Sequence, residues 1–419
     1  MRLLLTSLLM LSATLTYAAD TSTRIFDQSM RSLRACLETD YYAPPVIELG
    51  GDDRVRVEFD DINSERRYMR YMRYSLLHCD AAWQPSQIVE SDYVDGFNQA
   101  DVEDCEFSSG TFEQYVHYGI SLPNQDMPIL LSGNYLLKVY LEDDPDCVLL
   151  QQRFCVVEKR VGIAASVSSR TDVDYNDSHQ QISITINTAN WSINNPYSDL
   201  RVVVSQNQRT DNEVMVTQPL RVSGNTIMFD HDRQLIFPGG NEFRRFEMVT
   251  TNYAGMGVER YTYSHPYHHA VLETDEPRAF EFYSFDRTQY GRFTIRESNS
   301  YDSNTQADYV ITHFSLAMPR LADGDVYVDG EFTQHRFANL NRMHYNVDTQ
   351  CYELDLPLKQ GAYNYQYLWL PNGMNVAQTA KIEGDHYQTV NEYMIRAYYR
   401  VPGERYDRLI GYGLIYSGH

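Results

Sequence analysis

Apolar and polar residues alternate with a period of two along most of this 419-residue chain. Ile182, Ile184 and Ile186 alternate with Gln181, Ser183, Thr185 and Asn187, and Tyr352, Leu354 and Leu356 alternate with Glu353 and Asp355. Successive side chains of a strand point to opposite faces, so this pattern predicts strands with one buried face. Apolar runs at 135–141, 147–157, 200–204, 280–285 and 309–316 predict more fully buried strands. Between them stand Ser132-Gly133-Asn134, Ser223-Gly224-Asn225, Pro238-Gly239-Gly240, Asp323-Gly324, Asp329-Gly330 and Pro371-Asn372-Gly373, which fit hairpins and tight loops. Helical periodicity is scarce. Short strands with frequent turns predict an all-β chain of sandwiches or barrels.

Two changes in pattern divide that chain. Val157-Glu158-Lys159-Arg160 ends one strand-rich block, and a His- and acid-rich stretch between Pro266 and Pro277 reads as a connector. The expected domains are therefore 19–160, 161–273 and 274–419. The first residues form a different kind of segment. Arg2 precedes an apolar run from Leu3 to Leu15, and Thr16-Tyr17-Ala18 offers small residues where a signal peptidase cuts. This predicts a signal peptide over 1–18, cleaved after Ala18, and export from a bacterial cytoplasm. The run is too short to span a bilayer and no second one follows, so the mature chain is expected not to be membrane-embedded.

Charge narrows the partners. Acidic residues outnumber basic ones by 57 to 35, a formal net charge of −22, which argues against nucleic acid and anionic membrane surfaces. The six cysteines allow several disulfide frameworks in an oxidising compartment. One pairing is excluded: Cys147 and Cys155 fall in one predicted strand, roughly 27 Å apart, beyond the reach of a disulfide.

Candidate chemistry is thin. The 172–177 run, Asp172-Val173-Asp174-Tyr175-Asn176-Asp177, starts like a calcium loop. However, Asp177 stands where glycine is needed and Ser183 where the bidentate glutamate belongs, so it reads as a solvated inter-domain loop. His265, His268 and His269 form a cluster without a fourth ligand, and no metal is expected there. There is no G-x-S-x-G, H-E-x-x-H or phosphate-cradling glycine loop, and neither a catalytic residue nor a cofactor is expected. Residues 325–369 give a strand–turn–strand order that resembles the early-set, glycogen-binding-module type of sandwich. There Tyr363, Tyr365 and Tyr367 share one face, for which core packing is the simpler reading. An aromatic surface around Trp369 would make the chain a periplasmic carbohydrate-binding protein acting through its C-terminal sandwich.

Several blocks, taken together, resemble the plug protein of the bacterial type IX secretion system. They are His78-Cys79-Asp80-Ala81 with Trp83 and Ser86, then Asp95-Gly96-Phe97; Ser108 through Thr111, Tyr115 and Tyr118 to Leu122-Pro123-Asn124; and Ser132-Gly133-Asn134-Tyr135. Phe237-Pro238-Gly239-Gly240-Asn241-Glu242-Phe243-Arg244, Ala307-Asp308-Tyr309 and Leu358-Lys359-Gln360-Gly361 continue the series. Glu383-Gly384-Asp385-His386-Tyr387, Asn391-Glu392-Tyr393 and Tyr406-Asp407-Arg408-Leu409-Ile410-Gly411-Tyr412 complete it. The resemblance implies an all-β periplasmic protein of tandem immunoglobulin-like β-sandwich domains, without enzymatic activity. It would bind the periplasmic mouth of the outer-membrane translocon β-barrel and occlude its pore. Such interfaces draw their energy from a few aromatic or arginine anchors, so Arg244, Arg245, Arg408 and exposed tyrosines are the candidate partner-binding residues.

Overall fold

The computed structural model describes residues 20–62 and 69–418. The expected signal segment and its cut lie outside the described residues. Among the described residues there are 28 strands, three four-residue helices and two 3-10 turns, and the strands form six sheets. Paired face to face, these make three sandwiches, so the fold is all-β.

The N-terminal sandwich sets the sheet of Met30–Leu37, Val55–Asp61, Val116–Leu122 and Asp104–Phe107 against the sheet built on Met72–Cys79, Gly133–Leu141 and Asp144–Val157. Phe59, Tyr118, Leu137 and Phe154 meet in its core. The middle sandwich is discontinuous. One sheet holds Gly162–Ser168, His179–Asn187 and Thr226–Phe229, and there Ile182, Ile184 and Ile186 face inward as their spacing predicts. The other joins Leu200–Gln206 to Glu392–Tyr399 and Arg408–Tyr416, nearly 190 residues later (Leu200 pairs with Tyr399, Gln206 with Tyr393).

A third sandwich is inserted between those halves. Its sheets are Arg244–Glu247, Gly361–Pro371, Phe293–Ile295 and Gly324–Asp329 on one side. On the other lie Val258–Ser264, Tyr267–Leu272, Tyr309–Ala317, Cys351–Lys359 and His344–Asn346. The division expected near 273 thus runs through a sheet, because Tyr267–Leu272 pairs in parallel with Tyr309–Ala317. The 265–277 stretch is no connector either: its first half is a hairpin, with His268 opposite Tyr263 and His269 opposite Thr262. Likewise the 172–177 run is the loop of the 162–168/179–187 hairpin inside the middle sandwich, not an inter-domain loop. Asp174 there accepts from Thr171, Ser178 and His179.

The strands that read as apolar runs at 135–141, 147–157 and 200–204 are covered twice, whereas Tyr309–Ala317 keeps one half-exposed face. In Asp144–Val157, Leu150, Phe154 and Val156 enter the N-terminal core, while Cys155 and Val157 turn outward against Val203, Tyr398 and Leu409 of the middle sandwich. The run 280–285 departs further. It is neither a strand nor buried, and lies in the crossover that a parallel pair requires.

The motif blocks meet at the junctions between sandwiches. Tyr398 donates to Asn134 Oδ1 at 2.6 Å, and the Ala81 amide to Asp407 Oδ2 at 3.0 Å, across the N-terminal/middle junction. Across the N-terminal/inserted junction, Asp308 accepts from the amides of Phe112 and Glu113, and Lys359 Nζ lies 2.6 Å from Asp60 Oδ2. The neck where the chain leaves and re-enters the middle sandwich sets Gly239 against His386. A Cβ on Gly239 would stand 2.2 Å from the His386 carbonyl oxygen, so only glycine fits there.

Candidate docking surface

The three arginines named from the sequence do not converge. Arg244 is an internal brace: it is 9% exposed and donates to Asp275 Oδ1 at 2.5 Å and Glu383 Oε1 at 3.0 Å. Burial works against its charge, but the Glu383 and Asp275 carboxylates outweigh burial and hold its pKa above the ordinary value. The converse holds for Glu383. Burial would raise its pKa, yet Arg244 and Arg278 keep it below the usual carboxylate range. Arg408 is tied to Glu404 and stacks over Tyr406 in the middle sandwich. Arg245 is half-buried and donates to Asp286 Oδ1 at 2.9 Å. Only Arg245 touches the surface described next.

That surface is the first part of the crossover, residues 277–289. Phe280 and Phe282 are fully exposed, at 100% and 101%, and Phe285 is 64% exposed. Burying such a ring is worth a few kcal/mol, so three of them in water within six residues are an uncovered apolar surface. The segment does not float. Arg278 donates to Glu383 Oε2 at 2.6 Å, the Arg278 amide to the Ile382 carbonyl at 2.7 Å, and the Tyr283 hydroxyl to Glu242 Oε1 at 2.7 Å. Burial raises the pKa of Glu242, with the hydrogen bonds from the Val390 amide and Tyr283 opposing it. Asp286 on Arg245 and the Gln289 amide on Asn364 Oδ1 close the far end. Neck residues therefore hold the backbone while the three phenylalanines are presented outward. The sequence reading missed this, because an aromatic run between turns also describes a buried strand.

The sugar platform is absent from its expected place. Tyr363, Tyr365, Tyr367 and Trp369 are buried in the inserted core, with Lys381 over the Trp369 ring at 3.2 Å. Of the histidine cluster, His265 Nδ1 lies 3.3 Å from the Tyr263 hydroxyl, and His269 joins a polar chain: its Nδ1 is 2.9 Å from His313 Nε2, and His313 Nδ1 is 2.6 Å from Asp355 Oδ1. Among the described residues, no hydroxyl or thiol is hydrogen-bonded to that chain, and no group of three His, Cys, Asp or Glu is arranged to hold a metal ion. All six cysteines are free thiols.

A family model described as the first domain of the type 9 secretion system plug protein matches residues 30–158. The chain belongs to the type IX secretion plug family. The matched span carries the whole N-terminal core. A crystal structure of a hypothetical protein from Parabacteroides merdae ATCC 43184 is 42% identical, with a TM-score of 0.93 over 94% of this chain and 99% of that one. The three-sandwich arrangement is therefore shared by both proteins over their length. A collagen adhesin structure from S. aureus aligns at 7% identity with a TM-score of 0.12, too low to bear on the fold. No curated protein matches the chain. Membership in the plug family gives the protein a role in type IX secretion. Among the described residues, no helix is long and apolar enough to cross a membrane.

Proposed function

We propose that this plug-family protein is a non-catalytic periplasmic plug. It docks on the periplasmic mouth of the type IX outer-membrane translocon barrel and occludes the pore when cargo is not passing. The observation that carries this reading is the presentation of Phe280, Phe282 and Phe285 in water on a tethered segment. A soluble protein gains nothing for its own fold from three such rings. A partner with an apolar recess would cover them, and each would contribute about 2 kcal/mol or more as a buried anchor. Occlusion further asks for a body that does not yield, and the polar contacts at all three junctions supply that stiffness.

The test is capture from native envelopes with tagged wild type and with a Phe280→Ser, Phe282→Ser, Phe285→Ser triple variant. The wild type should retain the translocon barrel and the variant should not, while the two unfold at the same urea concentration. Equal retention by both would remove the segment from the interface. Failure of the wild type itself to retain the barrel would remove the plug reading.

A further inference from the structure

All three sandwiches border one cavity of about 130 Å³. The N-terminal sandwich contributes Arg34 and Arg153 to its wall, the middle one Glu213 and Arg396, and the inserted one Glu331 and Arg336. Four guanidinium groups thus face two carboxylates. Three of the four have acidic neighbours: Arg396 donates to Glu213, Arg34 Nε lies 3.9 Å from Glu331 Oε1, and Arg336 Nη1 lies 3.5 Å from Asp20 Oδ2. Arg153 has no ion-pair partner among the described residues. Its Nε donates to the Thr21 carbonyl at 2.7 Å, and its guanidinium lies 4.2 Å over the Trp83 ring. Burial pulls its pKa down to about 10, with Glu213 opposing and Arg396 adding to the fall.

Donors are also left over. Arg34 Nε and Nη1 and Arg396 Nε are buried and find no acceptor among the described residues, although the two side chains are only 3% and 2% exposed. A buried cationic donor without an acceptor is costly, and a carboxylate matches the guanidinium fork with two parallel hydrogen bonds. The rest of the wall is mixed: Trp83, Phe154 and Met394 supply apolar surface beside polar residues such as Gln152, Ser205 and Gln208. We propose that this junction cavity binds a small organic carboxylate, its charge met by the Arg153 guanidinium with the Arg34 and Arg396 charges beside it, its apolar body lying against Trp83, Phe154 and Met394.

Size and chemistry restrict the ligand. A dry cavity of about 150 Å³ takes benzene, so this one suits a body of about four carbons. Inorganic phosphate has the charge but no apolar body to cover Trp83, Phe154 and Met394. A ligand so placed touches all three sandwiches, and by mass action it stabilises their joined state. This site is independent of the aromatic crossover and of the plug reading.

The experiment is calorimetric titration and thermal unfolding of the whole secreted chain with butyrate, butyramide and inorganic phosphate, at fixed ionic strength. Butyrate should bind saturably and raise the unfolding temperature, and butyramide and phosphate should do neither. Arg153→Met should weaken butyrate binding at least about tenfold, the expected loss of one charge-assisted anchor. If that variant does not fold, the wild-type comparison of butyrate with its uncharged amide still decides. No binding of butyrate, equal binding of butyrate and butyramide, or binding of phosphate in preference to butyrate would overturn the proposal.

Discussion

Lys359 Nζ and Asp60 Oδ2 lie 2.6 Å apart, each side chain 1% exposed, with Tyr309 and His117 completing the hydrogen bonding of Asp60. Burial disfavours the Asp60 charge, but Lys359 and His117 outweigh it and hold the carboxyl below its usual range. Removing one partner strands the other in a dry place. Lys359→Met should therefore cost about 3–5 kcal/mol in urea denaturation, far more than an exposed pair would. Glu383 gives the second prediction at this scale. Its folded pKa lies below the unfolded value of about 4.3, so its contribution is present above that pH and is lost as pH falls through the folded pKa. The stability difference between wild type and Glu383→Gln should therefore shrink between pH 7 and pH 3, read from urea midpoints. Neither pair was legible in the sequence. Arg244 looked like a free surface arginine because its partner Glu383 lies 139 residues away, and no local pattern links them.

Single strands were legible wherever one face is buried, as at Ile182–Ile186 and Tyr352–Leu356, since alternation records a face directly. What alternation does not record is which strands share a sheet. Glu392–Tyr399 and Arg408–Tyr416 complete the middle sandwich across an insertion of a whole sandwich, and their sequence offers no sign of it. Isolated residues 161–273 should therefore fail to fold, giving a disordered far-ultraviolet spectrum, because Leu200–Gln206 loses the neighbour that covers Val202 and Val204. Residues 161–418 should show cooperative unfolding. The 280–285 run was misread for a related reason. A crossover between parallel strands has to leave the sheet, so its aromatic residues have no ladder to join, and composition alone does not separate that case from a buried strand. Replacing Phe280 and Phe282 by serine should leave stability within about 0.5 kcal/mol, because neither ring is buried in the free protein.

The whole molecule is three sandwiches locked at their junctions by the blocks that also carried the family resemblance, and a surface segment that leaves three phenylalanines in water. Those blocks were visible as motifs, but their positions at the junctions were not, since each junction joins segments far apart in the chain. On the proposed function, a body built this way acts by shape and contact. The most direct test is the ionic conductance of single purified translocon barrels in a planar bilayer, with the protein added to the periplasmic side. Wild type should close the open channel, and the triple serine variant at Phe280, Phe282 and Phe285 should leave it open. Channels that keep full conductance while demonstrably carrying bound wild-type protein would contradict occlusion as its function.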